Sequence, residues 1–350
     1  MSENNPIETI GAYGARVDAP AEQFLSRNDY TLYGMMRYFM GYTDEQFKTS
    51  VRPAGKRLRP GLLLCIADGY GALEEALPAA LSIELFHNFT LIHDDIVDHD
   101  ELRRGRPTVW KLWGVDHAIN TGDAQLILAL RALEGARDTR SELSSAVRTT
   151  LLDLYLEVTE GQYLDFSLAA APLRDELVSE ETYRTMIRKK TAKLIRAATE
   201  TAPRIAKRSE AEVSALGDFG ENLGMAYQLY DDWQSIWGDP EKTGKKPAGD
   251  ILERKKTLPV IYAYEHLGPA DKRRLETLYE RDMDEAAVAE VLELFSKVDA
   301  HDVLKEYAVQ YKEQALAALA RPGVDIPAQT RALLEQTVRA LIPDVIIESR

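Results

Sequence analysis

Apolar residues recur at helical spacing along nearly all of the 350-residue chain, and this periodicity limits the possible folds more than any other feature. Tyr183, Met186, Ile187, Lys190, Leu194, Ile195 and Ala198 follow steps of three, four and one, which places them on one face of a helix. Val213, Leu216, Gly220, Leu223, Gly224 and Tyr227 form a second stripe, and Leu304, Tyr307, Ala308, Tyr311, Ala315 and Leu319 a third. Strand-like alternation is scarce, so the chain is predicted to be all-α. Proline and glycine gather at 68–71, 103–107, 238–249 and 321–327, which read as loops. No repeat of fixed period and no low-complexity tract appears, so residues 21–350 are expected to form one large helical domain, with 1–20 a loose N-terminal segment.

Charge and cysteine content narrow the function. The net charge of −14 has the wrong sign for a protein that neutralises nucleic-acid phosphates over a broad surface. The single cysteine, Cys65, cannot form an internal disulfide and lacks neighbours at metal-ligand spacing. The first twenty residues lack a basic start followed by an apolar core, and the longest apolar runs, such as 62–67, fall far short of the roughly 18 residues that cross a bilayer. A cytoplasmic protein with no stable membrane insertion is expected.

The most informative stretch is 80–98, ALSIELFHNFTLIHDDIVD, an apolar helical run that ends in Asp94, Asp95 and Asp98. Residues 94 and 98 lie one turn apart on nearly the same face, with Asp95 about 100° round, so three carboxylates converge near one helix end. Set among Leu91, Ile92, Ile96 and Val97, they are costly to desolvate unless cations compensate them. All-oxygen ligation suits magnesium bridging to substrate phosphates. Asp231 and Asp232 end another apolar helix, with Gln228 one turn earlier, and the two acidic ends are expected to face one cavity.

Basic residues supply the complementary half in Gly55-Lys56-Arg57-Leu58-Arg59-Pro60, in Arg103-Arg104-Gly105-Arg106-Pro107-Thr108 and between Lys242 and Lys256. Arginine forks match diphosphate oxygens bidentately and lysines add point charge. Lys190 sits inside an apolar helical stripe.

Taken in order, GKRLRP, DDIVD followed by RRGRPT, GQYLD, KKTAKL, YQLYDD and GK…DI…KKTLP resemble the motifs of the trans-isoprenyl diphosphate synthases from about residue 50 to residue 262. The resemblance implies the isoprenoid synthase fold, with central helices around a deep cavity, and a homodimer. It also implies a prenyltransferase that adds isopentenyl diphosphate head-to-tail to an allylic diphosphate, giving a medium-chain trans-prenyl diphosphate. On the family pattern Asp94, Asp95, Asp98, Asp231 and Asp232 hold magnesium, three ions per site. Arg103, Lys190 and Lys245 contact the allylic diphosphate, and Thr191, next to Lys190, and Gln228, of the second acidic motif, are further substrate-binding residues. Lys56, Arg57, His87 and Arg104 bind isopentenyl diphosphate, and Lys255 belongs to a closing loop. Asp94, Asp95, Lys190, Gln228 and Asp231 form the expected catalytic set.

One helical turn rises about 5.4 Å, close to an isoprene unit, so side chains below Asp94 gauge product length. Thr90 is small and one turn down, Phe89 narrows the path, and Phe86 lies about two turns down. In the family an aromatic five positions before the first acidic motif resembles the geranylgeranyl-forming type, so twenty carbons are expected, with fifteen next. Two departures stand out. Ser235 holds the place of a third aspartate, for which Asp239 is a candidate substitute, and Trp110 stands where many members have histidine. Ser235 gives some weight to an alternative, a terpene cyclase that uses no isopentenyl diphosphate; retention of Lys56, Arg57, His87 and Arg104 speaks against it.

Overall fold

The computed structural model describes residues 5–50, 55–134, 145–239 and 247–343, and they are helical throughout except for one two-stranded hairpin and connecting turns. The chain divides into two compact units, one of Met1–Leu152, Ala197–Leu216 and Gly323–Thr337, the other of Asp153–Arg196, Gly217–Pro322 and Val338–Arg350. No helix among the described residues is long and apolar enough to cross a membrane.

In the first unit the helix Leu73–Val97 is the central element. It is apolar on almost every side, burying Ala76, Ala79, Ile83, Leu85, Phe86 and Ile92, as a helix surrounded by others must. It packs against Leu58–Gly69 and Val115–Ala132. Residues 5–20 are not loose. The Asn5 side chain accepts from the Ile7 N–H, Pro6 occupies the first turn, and the helix Pro6–Gly14 lies on Leu58–Gly69. The approach is close enough that a Cβ on Gly61 would lie 2.2 Å from the Ile10 carbonyl oxygen. Ile10 and Val17 are fully buried, and two apolar contacts in a polar, glycine-bearing stretch leave little periodic trace in the sequence. Cys65 is buried on the Leu58–Gly69 helix, and burial pushes its thiol up to about 12.

The region read as a loop at 103–107 is a tight hairpin, Leu102–Arg103 paired antiparallel with Arg106–Pro107. Its two linking residues, Arg104 (φ +54°) and Gly105 (φ +74°), are both left-handed, as a two-residue turn of this hand requires. Arginine is an unusual choice for that conformation. Trp110 has a local task here: its indole N–H donates to the Asp100 carbonyl at 2.8 Å, and the Thr108 hydroxyl donates to the same oxygen at 2.8 Å. Together they tie the hairpin to the end of the Leu73–Val97 helix.

The helix Glu210–Trp237 opens with a reciprocal cap in which Ser209 Oγ accepts from the Glu212 N–H at 3.3 Å and Glu212 Oε2 accepts from the Ser209 N–H at 3.1 Å. In the second unit Leu168, Tyr183, Ile187, Leu229, Ile251 and Leu258 share one core. The helix Glu180–Ile187 runs into a wide π-helical turn, Arg188–Ala192, which carries Lys190 and Thr191. Such turns gather at functional positions because the extra residue redirects side chains from the regular face.

Candidate active site

The helix Leu73–Val97 delivers the first acidic cluster at its C-terminal end, where the helix dipole already disfavours negative charge. Asp94 is half-buried, Asp95 is 1% exposed, and Asp98 is the exposed C-cap residue. The hairpin returns Arg103 to this end: its Nε–H donates to Asp95 Oδ1, and its terminal nitrogen lies 3.6 Å from Asp100 Oδ2. Asp95 Oδ2 is buried without a hydrogen-bond partner. Burial pushes the Asp95 carboxyl up to about 6, against the pull of Arg103. A buried carboxylate oxygen with no donor is costly, and a hard cation is the kind of group that relieves it.

Beside this cluster the same unit holds the expected basic group, with one change of membership. Arg57, placed by the sequence pattern among the isopentenyl diphosphate ligands, is 6% exposed with a left-handed backbone (φ +47°) at the start of its helix. Its guanidinium pairs with the buried Glu84 and lies 2.7 Å from Asp18 Oδ1, and Asn88 donates to Glu84 at 2.7 Å. Arg57 is thus committed inside the protein. Arg59, two residues on and unassigned from sequence, approaches His87 instead, with its Nη1 3.0 Å from Nε2. Arg104 lies against Gly55, close enough that a Cβ there would stand 3.0 Å from its Nη2, and Lys56 is exposed. Arg59 and Arg104 therefore form the cationic group, with His87 beside them.

His87 is pushed well below the ordinary histidine range, first by burial and then by Arg59 and Arg104. It stays neutral in the folded protein and accepts from Arg59, whereas the unfolded chain protonates it near pH 6.5. A depressed histidine contributes stability that is present above the unfolded pKa and lost as pH falls below it. As pH falls from about 7 to about 5, His87→Gln is therefore expected to lose less stability than the wild type. Urea unfolding at the two pH values measures this, and equal losses would show that His87 does not carry the effect.

In the second unit the predicted residues form a connected set. Thr191 Oγ1 donates to Gln228 Oε1 at 2.9 Å, Gln228 Nε2 donates to Asp232 Oδ1 at 2.9 Å, and the Tyr183 hydroxyl donates to Asp232 Oδ2. Both oxygens of Asp232 are engaged and the residue is 4% exposed, while Asp231 is only half-buried. Burial, followed by the charge of nearby Asp250, pushes the Asp232 carboxyl upward. Lys190 Nζ lies 2.6 Å from Asp165 Oδ2. Ser235 does not present a carboxylate; its Oγ accepts from the Asp250 N–H at 3.2 Å, so the turn Gly249–Leu252 seats Asp250 beside the motif. Asp239 is exposed beyond the helix end. Lys255 is half-exposed and pairs with Glu253 at 2.8 Å. Lys245 lies outside the described residues.

Sequence reasoning missed Arg59, Tyr183 and Asp250. Arg59 and Asp250 sit in quoted motifs without a role, and Tyr183 is hidden as one member of an apolar stripe. Among the described residues no three histidine, cysteine, aspartate or glutamate side chains form a metal cage by themselves. The donors offered are carboxylate oxygens, which fits magnesium held by one or two carboxylates with substrate phosphates and water completing its shell.

The sequence profile of the polyprenyl synthetase family matches residues 42–295. The chain belongs to this family. It is 37% identical over 295 residues to the (2E,6E)-farnesyl diphosphate synthase of Mycobacterium tuberculosis, covering 82% of this chain and 80% of that protein. Its fold matches geranylgeranyl pyrophosphate synthetase from Pyrococcus horikoshii with TM-score 0.84 and 29% identity, covering 98% of this chain and 99% of that one. Geranylgeranyl pyrophosphate synthase from Corynebacterium glutamicum, solved with isoprenyl diphosphate and magnesium, matches with TM-score 0.77 and 26% identity over 98% and 99% of the two chains. These relatives are synthases, which supports prenyl transfer over the cyclase alternative.

Proposed function

We propose that this polyprenyl synthetase adds isopentenyl diphosphate head-to-tail to an allylic diphosphate and releases a medium-chain trans-prenyl diphosphate, with twenty carbons the main product. The observation that carries this reading is the pairing, within one unit, of a carboxylate-bearing helix end with a separate cationic group, Arg59 and Arg104 beside the neutral His87. Two anionic substrates need two different grips, one through metal and one through cations directly.

Asp94, Asp95, Asp98, Asp231 and Asp232 are proposed to hold magnesium, with Asp95 oriented by Arg103 and Asp232 by Tyr183 and Gln228. Magnesium, three ions on the family pattern, supplies charge stabilisation for a departing diphosphate. Lys190, Thr191 and Arg103 orient the allylic diphosphate, while Lys56, Arg59, His87 and Arg104 hold isopentenyl diphosphate so that its double bond meets the allylic carbon. The proton lost from the adduct goes to the released diphosphate. Cationic groups fixed in advance stabilise negative charge as it develops, without reorganisation during the reaction.

The test is incubation with labelled isopentenyl diphosphate and farnesyl diphosphate, followed by gas chromatography of the dephosphorylated products. A labelled linear twenty-carbon alcohol is expected. An unlabelled cyclic hydrocarbon would overturn the assignment.

The same reading includes a homodimer. Leu152, Leu156 and Tyr163, exposed at 45%, 59% and 70%, fall on one face of the helix Ser145–Ala170. An apolar stripe of this kind is better covered than left in water. Sedimentation velocity at micromolar concentration should give twice the chain mass of 39.3 kDa, and a monomer would rule the dimer out.

A further inference from the structure

The helices Leu73–Val97 and Val115–Ala132 pack along each other, and at Gly122 the first sends a ring into the backbone of the second. A Cβ built on Gly122 would lie 2.3 Å from Nε2 and 2.4 Å from Cδ2 of His93, so any side chain there must displace the imidazole. The ring is fixed within this seat. Its Nε2 lies 3.2 Å from the Ile119 carbonyl oxygen and 3.6 Å from Asp123 Oδ1. On its other side it meets Phe89 edge-on, with centroids 5.0 Å apart, and Phe89 meets Phe86 at 5.4 Å. Residues 86, 89 and 93 share one helix face, so an unbroken aromatic stack runs from Phe86, 1% exposed, to the position before Asp94.

We propose that Gly122 and His93 are specificity-determining positioning residues that brace the half-buried Phe89 and so fix the length at which product growth stops. The inference rests on the reading of Phe89 as the wall met by the growing chain. Each added five-carbon unit gains apolar burial, so a wall that halts elongation must resist being pushed aside. Phe89 alone on a helix face has rotamer freedom to yield. Held between Phe86 and a histidine seated on a glycine, it lacks that freedom, because close-packed side chains transmit displacement rather than absorb it.

The ratio of products from isopentenyl diphosphate and an allylic primer tests this, and a ratio does not depend on how much of a preparation is active. Phe89→Ala is expected to lengthen the product. His93→Ala and Gly122→Ala should each raise the proportion of the next longer product at least about threefold, and should add nothing further in a Phe89→Ala background. Lengthening by Phe89→Ala with wild-type ratios in His93→Ala and Gly122→Ala overturns the inference and leaves the wall in place. An unchanged product in Phe89→Ala removes the wall and the inference with it. Full additivity with Phe89→Ala also overturns it, because the two residues would then act by another route. If Gly122→Ala does not fold, His93→Ala carries the test, since it removes the ring without adding atoms.

Discussion

Asp231→Ala and Asp94→Ala are each expected to lower turnover by about 10³-fold while leaving the helical circular dichroism unchanged. The size follows from what is lost: groups that stabilise charge on a leaving diphosphate act mainly in the transition state, and removing one such interaction typically costs about 10²- to 10³-fold. The choice of residue matters as much as the size. Asp95 pairs with Arg103 and is 1% exposed, and Asp232 accepts from both Tyr183 and Gln228, so replacing either mixes damage to the fold with loss of a ligand. Asp94 and Asp231 are only half-buried, and alanine there leaves those two networks in place. Steady-state rates across a magnesium titration give the answer. Near-normal turnover in either variant would remove that carboxylate from the metal site, and a shifted magnesium requirement would place it there.

The second large effect separates two arginines two residues apart. Arg57→Ala is expected to cost about 3–5 kcal/mol of stability, because it leaves Glu84 charged and buried without its partner. Arg59→Ala should fold normally yet raise the KM for isopentenyl diphosphate about 10- to 100-fold, the worth of a charge-assisted hydrogen bond to a phosphate oxygen. Thermal unfolding and initial rates on the two variants separate these outcomes. Arg57→Ala folding like the wild type while losing isopentenyl diphosphate affinity would restore the assignment made on motif position.

These two arginines also show where sequence stops being informative. The GKRLRP motif announces a basic group, but which guanidinium turns inward depends on the left-handed backbone at Arg57 and on Glu84 and Asp18, residues far along the chain. Helical periodicity revealed the all-α class because burial on one face repeats about every 3.6 residues. It could not reveal the π-helical turn at Arg188–Ala192, which breaks the period where Lys190 and Thr191 are presented. The acidic pairs were readable as clustered charge, but Asp250 was not. It reaches the second motif only through a turn capped by Ser235, and no spacing rule links residues 235 and 250. Trp110, a departure in the motif, has a plain local reason in its bond to the Asp100 carbonyl.

The placement of Cys65 has a practical consequence. It is the only thiol in the sequence, 3% exposed and shifted so far from its ordinary range that almost none is thiolate at neutral pH. Maleimides and spin labels should pass the native protein by. Two cysteines installed at exposed positions such as Leu102 and Tyr30 would then be the sites that take a probe, and the distance between the two labels could be read with Cys65 left in place.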